Sequence, residues 1–123
     1  MESQKADELP DSERYEYLIK NATQHKEVWL LHAIDGLYAM FEDQQGQQYI
    51  PVWPEQVFAA SYAIDDWEGY SSQRMGLGEF LDWLKELKND EIFIGVFPDN
   101  NFQAIPVDPI TLKKQLEQAS GNG

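Results

Sequence analysis

The stretch EVWLLHAIDGLYAMFED, residues 27–43, decides the fold. Val28, Trp29, Leu30 and Leu31 are apolar at consecutive positions, which predicts a strand covered on both faces. Asp35-Gly36 then supplies the residue pair that tight hairpin turns select, because such turns need backbone in the left-handed region. Residues 37–43 return as a second strand. Working outward, Gln45-Gly46 gives another turn and residues 47–53 a third strand, so the segment reads as an antiparallel meander.

Upstream, Asp11 or Ser12 can cap a helix whose Tyr15, Leu18, Ile19 and Ala22 form one apolar stripe, with His25 and Lys26 suited to its negative end. Downstream, Trp53-Pro54-Glu55 predicts a helix start, with Pro54 at the first helical position and Gln56 to Ile64 continuing the helix, Val57, Ala60 and Ile64 forming its stripe. Residues 67–74 form a short polar strand. Leu77, Phe80, Leu81, Leu84 and Leu87 mark a helix stopped by Asn89-Asp90. Residues 91–97 and 102–107 flank the turn Pro98-Asp99-Asn100-Asn101, and Asp108-Pro109 caps a closing helix anchored by Leu112 and Leu116.

The resulting order is α-β-β-β-α-β-α-β-β-α. It predicts an α+β single domain over residues 11–119, with a mostly antiparallel five- to six-stranded sheet and about four helices packed on it. Residues 1–10 read as a flexible leader and 120–123 as a flexible tail.

At 123 residues the chain is long enough for one core, and 42% hydrophobic content with 13% aromatics supports folding despite a net charge of −13. That charge argues against nucleic acid, which is bound by clustered Lys and Arg, and against an anionic membrane surface. The absence of cysteine removes disulfides, thiolate nucleophiles and cysteine metal clusters. The N-terminus lacks the basic and apolar regions of a secretory signal, so a cytoplasmic location is expected.

No motif surrounds His25 or His32, and the sequence predicts no catalytic residue, cofactor or metal. Gly76-Leu77-Gly78 precedes a helix without the remaining glycines or lysine of a phosphate loop. From Glu27 to Gln73 there are eight carboxylates and no Lys or Arg. Asp35 belongs to its turn, Glu55 to a helix start, and Glu27 simply opens a strand. The acids without a local role are Glu42, Asp43, Asp65, Asp66 and Glu68, and Trp53, Trp67 and Tyr70 are aromatics that could stand beside them. These eight residues are the candidate partner-binding set. Trp83 lies off the main stripe of its helix, either core or half-exposed.

Trp29-Leu30-Leu31, the Asp35-Gly36 turn, Ile50-Pro51-Val52-Trp53-Pro54, Phe58-Ala59, Leu77-Gly78-Glu79-Phe80-Leu81 with Trp83-Leu84, and Ile94-Gly95-Val96-Phe97-Pro98 together resemble the bacterial domain-of-unknown-function family 2750, over residues 12–118. The chain is also distantly similar to the N-terminal domain of enhanced-serine-sensitivity proteins. The resemblance implies a small cytoplasmic bacterial α+β domain with no assigned activity. The more distant likeness implies protein binding, including immunity to toxins.

The function expected is therefore a non-enzymatic protein-binding module whose acidic surface engages a basic partner. One alternative is an oligomeric structural protein, with homodimerisation burying surface aromatics. Another is a small ligand-binding or hydrolytic domain using Asp65, Asp66 and Glu68 with Trp67 and Tyr70.

Overall fold

The structure, a computed structural model, describes residues 8–63, 68–99 and 103–121. Helix α1 (Asp11–His25) is followed by strands β1 (Glu27–His32), β2 (Phe41–Glu42) and β3 (Gln48–Val52). Next come α2 (Gln56–Ala60), β4 (Ser71–Gly76), α3 (Leu77–Asn89), β5 (Phe93–Val96), β6 (Ile105–Val107) and α4 (Pro109–Ala119). The α+β class and the order of elements are those the sequence predicts.

The strand partners differ from a simple meander. β1 pairs antiparallel with β4 in a two-stranded sheet, while a second sheet has the order β2-β3-β5-β6. Within that sheet β3 and β5 run parallel, and the other ladders are antiparallel. One sheet was expected; two form, joined where Trp29 and Trp53 exchange backbone hydrogen bonds of 2.9 Å in both directions.

Pro51 explains the break. Along β3 the backbone groups of Tyr49, Pro51 and Trp53 project to one edge, following the two-residue period of a strand. Tyr49 uses that edge to pair with Phe41, and Trp53 uses it for Trp29. Pro51 between them has no N–H, so the ladder cannot continue from Trp29 to Leu31. The carbonyl of Leu31 instead accepts from the Ala39 N–H at 2.9 Å, and the Ala33 N–H donates to Leu37. The Asp35-Gly36 hairpin is thereby present, with Gly36 at φ 88° and Asp35 accepting from the Leu37 N–H. Its second strand shrinks to Phe41–Glu42.

β1 is central, as its apolar run predicts: Val28, Leu30 and Leu31 are buried, with β4 along one edge and β3 and the hairpin along the other. Gly95 in β5 suits close packing, since a Cβ there would lie 3.0 Å from that of Ala104, tighter than ordinary contact. Helix α4 packs against α1 and α3, while α1 also meets β1 and β5, and α2 covers β1 and β4. The core joins Leu18 of α1, Val52 and Trp53 of the β3 end, Phe80 and Leu84 of α3, Ile94 of β5 and Leu112 and Leu116 of α4.

Two helix starts correct the sequence reading. Pro10 occupies the cap position of α1, and Asp11 is its first helical residue. In α2 the cap is Glu55, so Pro54 lies one residue outside the helix rather than at its first position. The stripe expected for α2 is also displaced: Val57 and Ala60 are exposed, Ala59 is buried, and Ile64 lies outside the described residues. By contrast Asp108 caps α4 as predicted, accepting from the N–H groups of Ile110 and Thr111, and it also takes the ammonium of Lys88 from the end of α3 at 2.6 Å.

A cation missed by periodicity fastens the fold. Arg14 is buried on α1; its Nε donates to the Phe97 carbonyl at 2.9 Å, one terminal nitrogen to Leu9 at 3.0 Å, and the other to Gln103 at 3.3 Å. Asp11 and Asp99 stand beside it. Phe97 holds the left-handed φ of 40°, a strained setting for a non-glycine residue, with its carbonyl on this guanidinium.

Candidate functional site

The eight residues of the predicted partner-binding set do not form one group. Trp53 is fully buried, 5.2 Å from the Tyr62 ring, because the bridge to Trp29 draws the strand end into the core; its assignment to a surface is corrected. The Asp43 carboxylate accepts from the N–H groups of Gln45 and Gln47, so it too has a local role, closing its own turn. Glu42 and Glu68 are exposed, and Tyr70 is half-buried against the core edge. Asp65, Asp66 and Trp67 lie outside the described residues.

Other acids of the lysine-free stretch prove to be engaged. Glu27 does more than open a strand: it accepts from Arg74 Nε at 2.5 Å and from the indole N–H of Trp29 at 3.0 Å. Partial burial acts to raise its carboxyl pKa, but those two donors outweigh it and hold the group below its ordinary value. Glu55 accepts from the Tyr17 hydroxyl at 2.6 Å. Burial, and then that carboxylate, push the Tyr17 phenol up to about 12.

A further set of exposed acids lies along the chain, on α3. Glu79, Asp82 and Glu86 recur at i, i+3 and i+7, the spacing of one helix face, opposite the buried Phe80, Leu84 and Leu87. Trp83 stands on that outer face, half-exposed. Tyr38 reaches it from the hairpin, where it is held by the bridge to His32; the Tyr38 and Trp83 rings lie 5.1 Å apart at 46°. With Met75 of β4, these five residues line a groove of about 260 Å³. Burial, and then the negative charge of Glu79, raise the Tyr38 phenol above its ordinary pKa.

Charge in the groove is poorly compensated. Asp82 has Lys85 at 3.9 Å, on exposed side chains, and among the described residues no ion pair reaches Glu79 or Glu86. Beside the groove the hairpin turns its apolar residues outward: Ile34 is fully exposed and Leu37 is 69% exposed, with Met40 also accessible. His32 lies half-buried, its ring 6.4 Å from Tyr38. Among the described residues no group of three His, Asp or Glu side chains is arranged to hold a metal ion. The arrangement can offer π-faces, carboxylates and an apolar tip to something that approaches from outside.

The model of one protein family, described as "Protein of unknown function (DUF2750)", matches residues 15–116. The chain belongs to this family. The match runs from within α1 to within α4, so all the elements that build the groove fall inside it. No curated protein and no solved structure matches the chain. The comparisons do not extend to the enhanced-serine-sensitivity proteins. No helix among the described residues is long and apolar enough to cross a membrane.

Sequence reasoning missed Tyr38, Glu79, Asp82 and Glu86. A signal was available: three acids at i, i+3 and i+7 around a tryptophan that leaves the apolar stripe of an otherwise regular amphipathic helix.

Proposed function

We propose that this chain is a non-enzymatic protein-binding module that works in the cytoplasm and engages a basic partner through an acidic surface. The observation that carries this reading is the hairpin tip, where Ile34 and Leu37 stand in solvent with Asp35 between them in sequence, while Tyr38 of the same hairpin lines a groove with the acids of α3. Apolar side chains presented together in this way favour contact with another surface. The surrounding negative charge selects a positive one and raises its rate of encounter. A second copy of the chain carries the same net −13, and this like charge disfavours self-association. A basic toxin held inactive by such a surface is one partner of this kind.

The test is affinity capture from lysate of the source organism at low and then raised salt, using the wild type and the double variant Ile34→Ser/Leu37→Ser. The reading expects a basic protein that is retained at low salt, released by salt and lost by the variant. Equal retention by the variant, or a homodimer that the variant dissociates, would overturn it.

A further inference from the structure

We infer that the groove lined by Tyr38 and α3 is a subsite for one arginine side chain of the partner, with the guanidinium seated against Trp83 between Glu79 and Glu86. This rests on the protein-binding reading and names the chemistry recognised beside the hairpin. A cavity of about 260 Å³ is smaller than the usual range for drug-sized ligands, roughly 300–1,000 Å³, and suits a single long side chain. Its aromatic wall is the Tyr38–Trp83 pair, whose ring centroids lie 5.1 Å apart at 46°; the two rings pack on each other, so a cation meets the pair from the groove side and does not enter between the rings. Cations are attracted to aromatic rings, tryptophan being the strongest, and a planar guanidinium adds stacking that an ammonium lacks. Glu79 and Glu86, two turns apart on the same helix face, flank Trp83 and have no ion-pair partner among the described residues. Met75, which is 4% exposed, also lines the groove and gives the arginine methylenes an apolar side chain to rest against. Tyr38 ties the subsite to the hairpin, so an arginine here would leave its neighbouring residues over Leu37 and Met40.

The experiment uses the whole chain, labelled with nitrogen-15, titrated with the capped tripeptide acetyl-Gly-Arg-Gly-amide. The control is the same peptide carrying citrulline, which keeps the shape and removes the charge. We expect the indole N–H of Trp83 and the amides of Tyr38 and Glu79 to shift with the arginine peptide alone. Glu79→Gln/Glu86→Gln should weaken binding about fivefold or more. Glu13→Gln/Glu16→Gln, which removes the same charge from exposed positions on α1, should leave it unchanged. All substituted side chains are exposed, and the remaining peaks of each spectrum report that the fold is kept. Equal shifts with citrulline, shifts spread evenly over the acidic surface, or no loss in the α3 variant would each overturn the subsite. If the peptide fails here while Ile34→Ser/Leu37→Ser still loses a basic partner, the subsite falls and the protein-binding reading stands. If the peptide binds but the hairpin variant loses nothing, the reverse holds.

Discussion

Around Arg14 each nitrogen of a buried cation has an acceptor, whereas along α3 Glu79 and Glu86 flank an open groove with no ion-pair partner among the described residues. Both are charges carried by helices. The difference lies in where the backbone carbonyls point. At the Arg14 site the chain brings the carbonyls of Leu9, Phe97 and Gln103 to one point, and Phe97 accepts a strained backbone in doing so. A charge fully satisfied from within can hold a fold together but has nothing left for a partner. Glu79 and Glu86 are exposed to solvent, contribute little to stability, and keep their capacity to bind.

Replacing Arg14 by Met should therefore have the largest effect. It leaves the buried Phe97 carbonyl without its guanidinium donor and removes the cation beside Asp11 and Asp99, and is expected to cost about 3 kcal/mol in urea unfolding at neutral pH. A loss below about 1 kcal/mol would mean that water replaces the guanidinium, and the contrast between the two regions would weaken.

Tyr17 and Glu55 are expected to give a smaller and pH-dependent effect. The folded phenol, at about 12, lies above the value near 10 of an unfolded tyrosine, so the neutral form is favoured by folding. Its contribution is complete below about pH 10 and is lost as pH rises towards 12. Tyr17→Phe should thus cost about 1 kcal/mol at pH 8, after allowance for solvent screening, and close to nothing near pH 12. Thermal midpoints of the two proteins compared across that range would show the difference shrinking; a constant gap would assign the effect to packing.

The smallest change is expected for Glu79→Gln/Glu86→Gln, whose stability should stay within about 0.5 kcal/mol of the wild type, with any shift towards higher stability as like charges are removed. A clear loss in the same urea assay would place these acids in the fold instead of in the groove.

Much of the architecture was legible because local chemistry marks where elements begin and end. Asp108-Pro109 starts α4, Asp35-Gly36 turns the hairpin, and the leucines of α3 keep helical spacing. Partnership between strands was not legible. The apolar run of β1 requires cover on both sides without saying by what, and the role of Pro51 emerges only when Tyr49 and Trp53 are seen competing for one edge. The stripe of α2 failed for a different reason: over five residues, little more than a turn, several spacings fit equally well. Of the predicted site, Glu42 and Glu68 remain exposed, while Trp53 went to the core because a tryptophan beside a proline corner reads the same whether its ring points in or out. Arg14 escaped notice because a buried arginine depends on carbonyls 83 and 89 positions away.

Asp108 does two things at once: it caps the first turn of α4 and receives Lys88 from the last turn of α3. The end of one helix and the beginning of the next are therefore fastened to the same carboxylate, and local opening of either breaks the contact between them. Amide hydrogens of Ile110 and Thr111 should exchange with solvent in step with those around Lys88, as one cooperative unit. Because Trp83 and Glu86 belong to that helix, the wall of the groove would inherit the slow exchange of the α3–α4 pair, while the hairpin opposite it opens on its own timescale.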